Sequence, residues 1–148
     1  MKKGILALAF VVLMIVLAVA IAKAETNTRV IMDSPIFLDL KLPNTANVKV
    51  VPQTEHGAKL ETELKAALAA KNVVVTDYDK ATRIINIYVP EIESRPVKMS
   101  LFKTARENKL SINLTIIENG KHHKVNITAT SADNINTMTI AKIIAGLF

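Results

Sequence analysis

Leu110-Ser111-Ile112-Asn113-Leu114-Thr115-Ile116-Ile117-Glu118-Asn119-Gly120-Lys121-His122-His123-Lys124-Val125-Asn126-Ile127-Thr128-Ala129 is the stretch that decides the fold. Asn119-Gly120 supplies the two positive φ angles that a tight hairpin turn demands. Pairing outward, Glu118 meets Lys121, Leu114 meets Val125, Ile112 meets Ile127 and Leu110 meets Ala129. The other face carries Thr115 against Lys124, Asn113 against Asn126 and Ser111 against Thr128. A slip of one residue would turn the apolar set to water, so the pattern specifies the register. One face packs and the other is wet.

Weaker signals surround this hairpin. Ile36, Leu38, Leu40 and Leu42 alternate with Phe37, Asp39 and Lys41, which predicts a half-buried strand over Pro35 to Leu42. Pro43 to Asn47 stops or bends that strand, and Val48-Lys49-Val50-Val51 follows as a turn or as a bulged continuation. After Pro52, Leu60, Leu64, Ala67 and Leu68 recur on one helical face, with Glu61 and Lys65 as an i,i+4 pair on the wet side. Asn72 fits the left-handed position that closes a helix. Val73-Val74-Val75 predicts a short buried strand.

Thr82 to Val89 predicts another strand, Ile85, Ile87 and Val89 on one side and Ile84, Asn86 and Tyr88 on the other, ended by Pro90. In the span 91–108, Pro96 breaks the pattern, Val97, Met99 and Leu101 alternate briefly, and Phe102 to Glu107 reads as a short helix. Ser131 or Asp133 can cap a last helix striped by Ile135, Met138, Ala141, Ile144 and Phe148. These elements predict an α+β fold. It has a small, mostly antiparallel sheet, one central amphipathic helix and a C-terminal helix packed on one face.

The N-terminus sets the address. Met1-Lys2-Lys3 precedes an uncharged apolar run of 18 residues, Ile5 to Ala22, and Ala22-Lys23-Ala24 offers a cleavage site. Residues 1–24 therefore read as a signal peptide, or as a retained membrane anchor, since 18 apolar residues reach the length of a spanning helix. Residues 25–148 form a single exported domain, periplasmic, envelope-associated or extracellular. With no cysteine, the chain carries neither disulfides nor a lipid-attachment residue. Setting aside Lys2, Lys3 and Lys23 leaves 16 basic against 13 acidic residues, a net charge of +3. That balance, with no Trp and two Tyr, argues against a nucleic-acid surface.

Chemistry-bearing motifs are sparse. His122 and His123 are consecutive strand residues and point to opposite faces, so they are poorly placed to share an ion. Asp77 and Asp79 flank Tyr78 in a turn, where capping is the plainer role than acid–base work. Glu91 and Glu93 follow Pro90 in a loop, and Glu61 and Glu63 diverge on their helix. The four glycines, Gly4, Gly57, Gly120 and Gly146, cannot assemble a phosphate-binding loop or dinucleotide fingerprint. Asn113-Leu114-Thr115 and Asn126-Ile127-Thr128 match the glycosylation sequon, both on the wet face. No catalytic, cofactor-binding or metal residue is assigned.

Pro35-Ile36-Phe37-Leu38-Asp39-Leu40-Lys41-Leu42, the helix around Leu60 to Asn72, Val73-Val74-Val75 and Asp79-Lys80-Ala81-Thr82-Arg83-Ile84-Ile85-Asn86-Ile87-Tyr88-Val89 together resemble the amino-terminal half of the TraT family. That family comprises oligomeric outer-membrane lipoproteins of conjugative plasmids, associated with surface exclusion and complement resistance. The resemblance covers residues 35–89 and implies an envelope role without catalysis. The family's lipid-bearing cysteine and glycine-rich apolar insert are missing here.

The expected function is thus that of a non-enzymatic exported envelope protein, a structural or accessory subunit acting through protein–protein contacts, in a homo-oligomer or a larger envelope assembly. Ile140, Ile143, Ile144, Leu147 and Phe148 on the C-terminal helix are the candidate interface, or a membrane contact alongside residues 5–22. The alternatives are a soluble periplasmic binding module, with a pocket near Tyr88 and Phe37, and a small secreted hydrolase using Asp77 or Asp79.

Overall fold

The computed structural model describes residues 28–148, and the Asn119-Gly120 hairpin forms the backbone of the sheet. The expected signal or anchor at residues 1–24 lies outside these residues. Strands β6 (Lys103–Glu118) and β7 (Lys121–Ser131) pair from Glu118↔Lys121 to Asn108↔Ser131, in the register the alternation dictates. Asn119 and Gly120 adopt φ of 47° and 75°, as the turn requires. Leu110, Ile112, Leu114, Ile116, Val125, Ile127 and Ala129 are buried, while Ser111, Asn113 and Asn126 face water.

The remaining strands are β1 (Arg29–Met32), β2 (Thr45–Val51), β3 (Val74–Val75), β4 (Arg83–Tyr88) and β5 (Glu93–Ser100). They complete a seven-stranded sheet in the order β1-β7-β6-β4-β2-β3, with β5 paired to the far half of β6. The fold is α+β, but the sheet is larger than expected. It is also mixed, because helix α1 (Glu55–Ala70) carries the chain across so that β2 runs parallel to β3 and β4.

Helix α1 buries Leu60, Leu64 and Leu68, as its periodicity predicts. Thr54 caps its start by accepting from the Gly57 N–H at 3.2 Å. Asn72 closes its end at φ 61°. Helix α2 (Thr137–Ala145) packs Ile140, Ala141, Ile144 and Ala145 into the same core. Thr137 Oγ1 donates to Glu63 Oε1 at 3.0 Å, tying α2 to α1. Both helices cover one face of the sheet and the other is open.

Four local expectations are corrected. Pro35 to Leu42 is irregular chain ending in a turn at Leu40, not a strand. The backbone of Asp39 is satisfied by side chains of the sheet, so no neighbouring ladder is needed. The strand instead starts at Thr45, within the stretch read as its end.

Span 91–108 holds β5 and the first half of β6, with no helix at Phe102 to Glu107. Pro96 is accommodated opposite Arg106 because β5 is an edge strand, paired with β6 alone. Val73 is buried but Val74 is exposed, since β3 is a two-residue edge strand. Finally, the cap of α2 is Asn136, whose side chain accepts from the Met138 N–H at 3.0 Å, and not Ser131 or Asp133.

Candidate functional site: a buried polar clamp between exposed apolar ends

Along β4, Arg83 falls in step with Ile85 and Ile87, and along β6, Glu118 falls in step with Leu114 and Ile116. Alternation therefore drives both charges to the helix-covered face, where they lie opposite one another in register. Arg83 is 1% exposed and Glu118 5%. Arg83 Nε donates to Glu118 Oε2 at 3.0 Å. The guanidinium also donates through Nη2 to the Asp39 carbonyl and through Nη1 to Asn44 Oδ1 at 3.5 Å. Its plane lies over the Phe148 ring, with Cζ 5.5 Å from the centroid.

Glu118 Oε1 accepts the Asp39 N–H at 3.0 Å, and His123 Nε2 stands 3.5 Å away. Burial alone pushes the Glu118 carboxyl up. The Asp39 N–H, the hydrogen bond and charge of Arg83, and His123 when protonated outweigh it and hold the carboxyl below its ordinary value. An ionised carboxylate so saturated with donors is a fastener. It clamps the 35–44 segment and the C-terminal Phe148 onto the sheet.

Neither partner was singled out from sequence. The signal was present in the strand parity itself: a charge in step with a strand's run of core positions must be paired if the strand is a strand.

The open face carries Lys49, Asn86, Tyr88, Asn113 and Thr115 around a depression of ≈ 250 Å³. Tyr88 is exposed there, and Phe37 does not line this depression. Asn113 and Asn126 sit side by side in register on this face, both exposed. Asp77 and Asp79 lie exposed at a single 3₁₀ turn, Tyr78–Lys80, Asp77 at its start. Glu91 is exposed in the loop before β5 and Glu93 opens that strand. His122 is exposed near the hairpin turn, and His56 is half-buried in the first turn of α1.

Of the helix α2 residues expected at an interface, Ile140 and Ile144 are fully buried in the core, and Ile143, Leu147 and Phe148 are half-buried. Large apolar side chains stand in water elsewhere. Phe37 is 81% and Leu40 75% exposed, on the segment held by Arg83 and Glu118. Leu101 and Phe102 are 83% and 100% exposed, at the tip of the β5–β6 hairpin. That tip lies at the opposite end of β6 from Glu118. Among the described residues, no helix is long and apolar enough to cross a membrane.

No protein-family model and no curated protein matches the sequence. Among solved structures, the chain is similar to a minor lipoprotein from Acinetobacter baumannii, at 16% identity and TM-score 0.49, over 70% of this chain and 91% of that one. It is likewise similar to the PelC dodecamer from Paraburkholderia phytofirmans, at 17% identity and TM-score 0.47, over 81% of this chain and 94% of that one.

Proposed function

We propose that this chain is an exported, non-enzymatic protein that serves as a structural or accessory subunit of a cell-envelope assembly and works through protein–protein contacts. The observation that carries this reading is the division of labour between its side chains. The most deeply buried ionisable groups, Arg83 and Glu118, are consumed in fastening the fold, while Phe37 and Leu40 are held out in water on the segment so fastened. Holding two large apolar groups exposed on a pinned backbone costs solvation free energy, which a contact partner recovers. Kinship with the TraT family over residues 35–89 is proposed on the same footing.

A second copy is the proposed partner at Phe37 and Leu40. Sedimentation velocity of the full chain over a range of concentrations tests it. Self-association that disappears in the Phe37→Ser, Leu40→Ser double variant, with an unchanged thermal melt, is the expected result. A native protein that stays monomeric throughout overturns the homo-oligomer, and turnover of any substrate abolished by Asp77→Asn overturns the non-enzymatic reading.

A further inference from the structure

Pairing of β6 with β7 ends at Asn108↔Ser131, and β6 extends beyond that point with only β5 beside it. Residues 93–107 thus form a two-stranded arm projecting past the sheet. Six residues separate Asn108 from Phe102, so the arm reaches roughly 20 Å at strand rise. Its tip presents Leu101 and Phe102 with no packing partner among the described residues. Its shaft carries exposed Arg95, Lys98 and Arg106 against Glu93 at its root and Glu107, which is spent on Arg95 at 3.2 Å.

The N-terminal chain enters the fold at this same end. Arg29 and Lys109 both lie opposite Thr130, and β1 runs from there toward the Asn119-Gly120 turn. Thr28 is therefore level with the root of the arm, where its Oγ1 accepts the Asn136 N–H at 2.9 Å. The 18-residue apolar run ends at Ala22. Covalent geometry limits the six-residue stretch from Ala22 to Thr28 to about 20 Å, whatever its conformation. Where residues 1–24 are retained, the reach of the arm matches this limit.

We propose that the β5–β6 arm is a membrane contact: Leu101 and Phe102 enter the interfacial layer of an anionic lipid bilayer, and Lys98 and Arg106 meet its headgroups. An apolar wedge flanked by cations is the chemistry that such a surface selects. The Phe37 end of the molecule is then turned away from the bilayer, roughly 50 Å distant along the 16-residue β6. This inference goes beyond the proposed subunit role and stands whether or not the chain oligomerises.

The chain has no tryptophan, so Phe102→Trp introduces a single reporter at a fully exposed position. The full-length variant is mixed with phosphatidylglycerol/phosphatidylcholine vesicles, and Phe37→Trp serves as the matched probe at the far end. The expected result is a blue-shifted Phe102→Trp emission, quenched by brominated lipid and shielded from aqueous iodide. Phe37→Trp keeps its aqueous spectrum. Adding Lys98→Gln and Arg106→Gln lowers tip insertion roughly 30-fold, and phosphatidylcholine alone gives weak insertion. A Phe102→Trp spectrum that stays aqueous on anionic vesicles overturns the proposal. So does equal lipid quenching of both probes, which is general adsorption, or a concentration-dependent blue shift without lipid, which is contact with a second copy.

Discussion

Replacing Glu118 with Gln removes one proton's worth of charge from the clamp and almost no volume. The carboxylate accepts on both oxygens, Oε2 from Arg83 and Oε1 from the Asp39 N–H. A glutamine has one acceptor, so whichever way its amide turns, an NH₂ faces a donor. The guanidinium, 1% exposed, is then left without its counter-charge. Breaking a buried pair from one side costs about 3–5 kcal/mol. For a domain of this size, with a total of about 5–15 kcal/mol, that is a large share.

Urea unfolding at pH 7, followed by far-ultraviolet circular dichroism, measures the loss. The folded Glu118 carboxyl lies below its ordinary value, so its contribution is complete above the ordinary carboxylate range and fades as pH falls through the folded value. The gap between native and Glu118→Gln proteins should therefore narrow on acidification, because the variant has no carboxyl to protonate. A difference under about 1 kcal/mol at pH 7, typical of a solvent-screened pair, refutes the reasoning. So does a gap that widens in acid.

Two further outcomes follow from packing. Gly57→Ala places a Cβ against the Pro52 carbonyl oxygen, backbone that cannot swing aside, so a helix-favouring substitution should instead destabilise by about 1–3 kcal/mol in urea. Ile144→Asp puts an unpaired carboxylate at a position with no exposure and should abolish cooperative unfolding altogether, by calorimetry, rather than release a soluble monomer from an oligomer.

The central hairpin was legible because three independent signals agreed: the Asn119-Gly120 turn, the apolar alternation of each strand and the polar pairing of the opposite face. Helix α1 was legible for the same reason, with Leu60, Leu64 and Leu68 at helical spacing and Asn72 at its close. Pro35 to Leu42 misled because its alternation is real but short. Ile36 is buried and Leu38 half-buried, as a strand would have them, yet Leu40 turns outward once Asp39 is captured by Arg83 and Glu118. Tertiary hydrogen bonds to one residue's backbone overrode a local pattern. Residues 91–108 misled in the opposite sense, since Pro96 argues against a central strand, and β5 is an edge strand with one neighbour.

The clamp shows how a long-range contact hides in a strand pattern. If Arg83 and Glu118 served only each other, an apolar pair of similar volume would replace them at little cost. Here the pair also holds the N–H and carbonyl of Asp39, so Arg83→Met with Glu118→Leu strips that N–H of its partner and leaves the carbonyl only the Leu42 N–H at 3.3 Å. Without the pair, the 35–44 segment should lift from the sheet, carrying Phe37 and Leu40 with it. The double variant should then keep a cooperative core while trypsin cuts faster after Lys41, whereas a segment held mainly by Ile36 would show unchanged cleavage. The surface proposed to meet a partner is in this sense an output of the buried charges, and weakening the clamp should loosen assembly before it unfolds the sheet.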